Sequence, residues 1–279
     1  MREIDVSLVE ETVRDLFLSA CCEIGEDVLS RLRAGLETEE SPFGREALRQ
    51  LIENDEIAAA CEMPICQDTG MAVVFFSVGQ DVHFVGGDVA NAIESGVRRA
   101  YRDGCFRASV LDPLTRVNTG DNTPAVVHTR IVPGENVEIT VAPKGFGSEN
   151  MSRLWMLTPA QGIEGVKDAV VETVRLAGGN PCPPVVVGVG IGGTAEYAML
   201  MAKHSLTRNC GAPSPDEELA AMERELLMRI NDLGIGPQGL GGRVTALAVH
   251  IEKSPTHIAA LPVAVNMQCH AARHKSAIL

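Results

Sequence analysis

Three of the chain's eight cysteines share a setting that the other five lack. Cys66 in PICQDTG, Cys182 in GGNPCPPVVVG and Cys269 in VAVNMQCHAARH each stand beside a proline, a glycine-bearing turn or a reactive polar neighbour, at the edge of an apolar run. A thiolate is both a nucleophile and a soft metal ligand. No C-x-x-C pair occurs, so zinc-ribbon, thioredoxin and ferredoxin spacings are absent, and three separate structural thiols remain the plain alternative. Cys61, Cys105 and Cys210 take that plain reading, and Cys21 with Cys22, adjacent on a helical pattern, read as small buried hydrophobes. Beside Cys66, the residues Gln67 and Asp68 put an amide and a carboxylate on one turn. Asp68 reads either as a group that holds or relays a proton, or as an Asx-turn side chain capping a following N–H. A further run, GVGIGG, satisfies G-x-G-x-x-G through Gly188, Gly190 and Gly193. The stretch about 20 residues on, SLTRNCGAPSPDE, is no strand ending in an acid, so close backbone packing at a tight turn outweighs a dinucleotide site.

The elements that must carry these residues follow from periodicity. Val9, Val13, Leu16, Phe17 and Ala20 recur at helical spacing, so amphipathic helices are expected between Val6 and Leu36. LRQLIENDEIAAACEM predicts a helix ended by Pro64. MAVVFFSVG reads as a strand, DVANAIESGVRRAYRDGCF as a helix, and PAVVHTRIVPGENVEITVAP as a strand pair turned at Pro-Gly. GIEGVKDAVVETVRLAGG predicts a helix, PPVVVGVGIGG a strand, TAEYAMLMAKHSL and DEELAAMERELLMRINDLG two more helices, and the tail alternates like strands around a Pro-containing loop. The expected fold class is α+β, mixed sheets flanked by helices, in one large domain over residues 1–279 of one or two lobes. Asn209 to Glu218 is the weakest seam. With 45% hydrophobic and 22% charged residues among 279, the chain can bury a sizeable core. A formal net charge of -13 argues against nucleic acid and membrane surfaces as partners. No signal-peptide pattern or bilayer-length apolar run is seen, so a cytoplasmic location is expected.

Six segments in order, CQDTG, NTGDNTPA, KGFGSENMS, NPCPPVVVGVGIGGTAE, LGIGPQGLGG and SPTHIAALPVAVNMQCHAARH, resemble the N-terminal domain or α subunit of the class I fumarase and L-tartrate dehydratase family. The resemblance covers nearly the whole chain. It implies an iron–sulfur hydro-lyase in which Cys66, Cys182 and Cys269 hold a [4Fe–4S] cluster and leave one iron open, at an edge facing a partner subunit. It further implies that Gln67 and Asp68 face the substrate, that Arg107 in CFRAS clamps a carboxylate through its planar fork, and that Gly147 offers a backbone N–H. His257 in SPTHIAA matches a histidine lying near the substrate. The plain alternatives are a surface arginine, a bare turn and a solvated loop histidine. Phe146 departs from the more glycine-rich family pattern.

The implied activity is reversible hydration of fumarate to L-malate, with L-tartrate dehydration as the alternative substrate reading. Single-chain family members continue past the last ligand cysteine into a second domain. This chain stops ten residues beyond Cys269, so a separate β subunit is the expected partner, with little turnover by the isolated chain and homodimerisation within a larger heteromer. A reading from another class is a non-catalytic iron–sulfur or scaffold protein of the same fold.

Overall fold

A computed structural model describes residues 1–279. In chain order the elements are β1 (Arg2–Asp5), α1 (Val6–Cys22), α2 (Glu26–Thr38), α3 (Pro42–Cys61), β2 (Met71–Gly79), β3 (Val82–Val85), α4 (Val89–Asp103), β4 (Val126–Val132) and β5 (Val137–Lys144). There follow α5 (Phe146–Glu149), β6 (Arg153–Leu157), α6 (Gly162–Ala177), β7 (Val185–Gly193), α7 (Ala195–Ser205), α8 (Glu217–Asn231), β8 (Ala246–Thr256), β9 (Leu261–Gln268) and β10 (Lys275–Ile278). The chain is α+β, as expected. It divides into two compact units, residues 1–24, 55–146 and 273–279 in one, and residues 25–54 and 147–272 in the other. The seam expected at Asn209 to Glu218 lies inside the second unit, joining α7 to α8.

In the first unit, β2 runs through the middle of a four-stranded sheet of order β10-β5-β2-β4. Its residues Ala72–Phe76 are buried on both faces, as in a central strand covered above and below, and a neighbour pairs with each of its edges. This corrects the expected strand pair: β4 and β5 are not neighbours, because β2 lies between them, parallel to β4 and antiparallel to β5. Gly79 makes the insertion possible, since a Cβ there would stand 2.4 Å from the Gly134 carbonyl oxygen. Val9, Val13 and Phe17 of α1 meet Ile93, Val97 and Tyr101 of α4 and the apolar face of the sheet in one core. Asp5 caps α1 by accepting from the Ser7 N–H (2.8 Å).

The second unit carries a sheet of order β6-β9-β7-β8, with β7 parallel to β8 and antiparallel to β9. Val166, Val170 and Val174 of α6 and Leu226 and Ile230 of α8 cover one face with Val187, Val189, Val263 and Val265. The glycine run sits within β7. A Cβ on Gly188 would lie 2.1 Å from the Ala202 carbonyl oxygen and one on Gly190 2.1 Å from that of Ala198, so both glycines let α7 press onto the strand. They build a helix–strand contact inside the strand, and the run turns only at its end, where Gly192 (φ +89°) and Gly193 (φ +66°) are left-handed and the pairing with β8 shifts register. No helix in the chain is long and apolar enough to cross a membrane.

Candidate functional site

In the first unit, the segment from Cys66 to Gly70 connects α3 to β2 and is held on every side. Ile65 N–H donates to the Cys21 carbonyl (2.9 Å). The hydroxyl of buried Tyr101 reaches the Thr69 and Gly70 carbonyl oxygens (2.8 and 2.9 Å). Burial pushes the Tyr101 pKa well above its usual value, which keeps the phenol a donor. Asn122, fully buried, donates its amide to the Gly70 carbonyl (3.1 Å) and accepts the N–H groups of Ser109 (2.7 Å) and Val110 (3.2 Å). The Thr69 hydroxyl donates to the Arg107 carbonyl (3.2 Å). The NTGDNTPA segment and the Arg107 loop are thus fastened to the CQDTG turn. The Arg107 side chain itself is exposed and makes no ion pair.

Asp68 forms the expected Asx turn and adds a second anchor. Its Oδ1 accepts the Gly70 N–H (3.0 Å) and its Oδ2 accepts the Phe146 N–H (2.9 Å), tying the turn to the first residue of α5. The Cys66 thiol donates to Gln67 Oε1 (3.3 Å), and its sulfur accepts the Asp68 N–H (3.4 Å). Cys66 is half-buried and Gln67 exposed, so both side chains stand at the surface of a rigid turn. Gly70 has φ +79°, and a Cβ on it would meet the Lys144 backbone at 2.8 Å.

In the second unit, the loop before β7 and the loop after β9 come together. The His270 N–H donates to the Cys182 carbonyl (3.3 Å), and the Cys182 N–H donates to the Gly179 carbonyl (3.1 Å). Cys182 is exposed and adopts φ +55°, a left-handed conformation that costs a non-glycine residue about 1–3 kcal/mol. Gln238 holds the next residue: its backbone N–H (2.7 Å) and its side-chain Nε2 (2.8 Å) both donate to the Pro183 carbonyl. After β9, the Gln268 amide donates to the Ala271 carbonyl (3.2 Å), which fixes the loop carrying half-buried Cys269. Gly147 is exposed nearby, and a Cβ on it would meet only the Asn180 carbonyl oxygen, at 3.8 Å. Glu149, two residues on, is pinned by Lys203 (2.5 Å) and by Asn266 (3.0 Å).

His257 is not brought to this group. Val185 pairs with Ala246 and Gly193 with Thr256, so Cys182 lies beyond one end of β7 while His257, following Thr256, lies beyond the other. The two ends are separated by roughly 26 Å of strand. The parallel pairing of β7 and β8 forces this outcome. There His257 lines an apolar cavity of about 770 Å³ with Ile163, Val166, Leu219, Met222 and Ile258, and its Nδ1 accepts the Ala259 N–H (3.2 Å).

Thiols are soft donors, suited by their chemistry to a thiolate-held group rather than to a hard cation. No set of three or more His, Cys, Asp or Glu side chains is arranged around one ion position. Burial pushes the Cys21 and Cys210 thiols up to about 12, and both are inert core groups. Cys66, Cys182 and Cys269 instead stand partly or fully open on loops fixed by backbone hydrogen bonds. Tyr101, Asn122, Gln238 and the Lys203–Glu149–Asn266 group escaped sequence reasoning. Asn122 and Gln238 lie inside the quoted segments NTGDNTPA and LGIGPQGLGG, which offered the available signal.

Residues 10–278 match the family described as Fumerase, fumarate hydratase. The chain is 43% identical over 273 residues, 95% of each chain, to a Methanocaldococcus jannaschii protein named "Putative L(+)-tartrate dehydratase subunit alpha". It is 32% identical over 272 residues, 96% of this chain and 89% of the relative, to an Escherichia coli K12 protein named L(+)-tartrate dehydratase subunit alpha. With its match spanning almost the entire sequence, the chain belongs to the fumarate hydratase (Fumerase) family.

Proposed function

We propose that the chain is the α subunit of an L(+)-tartrate dehydratase type of hydro-lyase, which removes water from a small hydroxy-dicarboxylate and works with a separate β subunit. The carrying observation is the 43% identity over 95% of both chains to a relative whose name specifies tartrate and an α subunit. The initial fumarate reading becomes the second one, favoured by the description of the family match.

In this reading Cys66, Cys182 and Cys269 hold a [4Fe–4S] cluster, supported by their thiolate chemistry, their exposure and their place in the family resemblance. When bound, the cluster supplies a Lewis acid that makes hydroxide a tolerable leaving group. Arg107, exposed and without an ion pair, binds a substrate carboxylate through two parallel N–H bonds. Gln67 supplies an amide, and the Gly147 N–H donates to a second carboxylate oxygen, where negative charge builds as the carbon-bound proton leaves. The Asp68 carboxylate uses one acceptor site on each oxygen for a backbone N–H, and its remaining lone pairs are available to hold a proton. His257, at the far end of its own sheet, serves a substrate bound on a second copy of the chain.

The deciding experiment is an anaerobic assay of the reconstituted α–β pair against L-tartrate, L-malate, fumarate and citramalate. Highest kcat/KM on L-tartrate is expected. Preference for fumarate and malate would move the assignment to the second reading. A pair that binds iron but turns over none of the four would favour a non-catalytic member of the family.

A further inference from the structure

Arg273 is 96% withdrawn from solvent (relative exposure 4%), yet it makes no ion pair. Its Nη2 donates to the main-chain carbonyl of Asp68 (2.8 Å), while Nε and Nη1 are buried with no acceptor. A buried guanidinium with two unmatched donors is costly, and an apolar side chain of similar volume would pack without that cost. The neighbouring thiols and phenol do not compensate it: burial pushes the Cys21 thiol up to about 12, with the Arg273 charge only opposing that rise, and Cys22 and Tyr101 are likewise raised by burial against the same charge. What the guanidinium uniquely achieves is its grip on one peptide group.

That peptide governs the turn. The Asp68 carbonyl belongs to the peptide joining Asp68 to Thr69, and Arg273 is the side chain that donates to it. On one side of it, the Asp68 N–H donates to Cys66 Sγ; on the other, the Asp68 carboxylate accepts the N–H groups of Gly70 and Phe146. Rotation of this peptide would swing the Cys66 sulfur and the Asp68 carboxylate together. We infer that Arg273 is a positioning residue whose buried guanidinium locks the Asp68 peptide and so sets the directions of Cys66, Gln67 and Asp68. This rests on the functional reading above, in which those three side chains carry a ligand and the substrate. Arg273 stands four residues past Cys269, so one run of chain supplies a proposed cluster ligand and the lock for the turn of another.

The test is hydrogen exchange resolved to single amides in the full chain, before iron is added, for wild type, Arg273→Gln and Arg273→Lys. In Arg273→Gln the Gly70 and Phe146 amides should exchange about tenfold faster while those of Val74 and Ile139 in the sheet are unchanged. Arg273→Lys, which keeps a donor and the charge but loses the fork, should fall between. Unchanged protection at Gly70 and Phe146 overturns the inference, and so does an equal acceleration throughout the unit, which is what a packing role alone would give. Should Arg273→Gln fail to fold, wild-type protection in Arg273→Lys overturns it equally. Anaerobic iron loading provides the second readout: loaded Arg273→Lys should show an altered visible circular dichroism spectrum and a KM raised more than kcat is lowered. Failure of wild type to load iron refutes the cluster reading and leaves the exchange result standing, whereas normal loading with unaltered exchange in the variants refutes only the lock.

Discussion

Asp68 is an anchor, each carboxylate oxygen accepting a backbone N–H, and in the proposed function the same side chain also holds a proton. Asp68→Asn keeps the shape but replaces one acceptor with a donor facing the Phe146 N–H. We expect it to retain iron and to lose at least about 10²-fold in kcat, the usual scale for a proton-transfer group; full activity with intact iron would remove Asp68 from the chemistry. Arg107→Lys should raise KM for the dicarboxylate about tenfold or more, read by steady-state kinetics, since a lysine cannot make the paired N–H contacts. Glu39 offers a test of stability. Burial acts to raise its pKa, but the N–H groups of Val244, Ser41 and Arg243 outweigh burial and hold it below its ordinary 4.5. A lowered folded pKa contributes stability above the unfolded value that is lost as pH falls through the folded one. Glu39→Gln should therefore destabilise the chain by about 1–3 kcal/mol at neutral pH in denaturant titrations. The deficit should shrink below about pH 4.5.

Among the elements, those with long internal patterns were legible: the apolar run of β2, the helical period of α1, the charged and apolar faces of α8. The short strands β1, β6 and β10 were missed because four or five residues carry no readable period, and their existence depends on partners distant in sequence, β1 on β3 and β10 on β5. The turn chemistry near Pro133 and Gly134 was visible, but the interposed β2 could not be deduced from it. Of the candidate site residues, Cys66, Cys182, Cys269 and Arg107 were nameable because their local sequences are distinctive, whereas Arg273 was hidden: a charged residue gives no sign in sequence that it will be buried. The glycines of β7 yield a direct prediction. Gly190→Ala would drive a methyl into the Ala198 carbonyl at 2.1 Å, so it should lower stability by about 1–3 kcal/mol or more and be visible as a depressed Tm.

For the molecule as a whole, the separation of His257 from Cys182 along β7 makes complementation informative. Mixing equal amounts of Cys66→Ser and His257→Ala chains with the β subunit should recover about a quarter of wild-type turnover, if subunits exchange at random and each site draws its histidine from the other copy. Recovery of nothing from the mixture would end the trans assignment. The interleaving of the two units also bears on how the protein is made. Residues 25–54 and 147–272 are complete once Ala272 has left the ribosome, whereas the other unit, begun by residues 1–24, still awaits β10, the edge strand that pairs with β5. On a growing chain β5 therefore waits for a partner strand about 130 residues further on, which at roughly 5–20 residues per second takes many seconds. A chain cut just short of Lys275 should therefore leave the β5 edge of that sheet unpaired and open to proteases, while residues 25–54 and 147–272 keep every strand of their own unit.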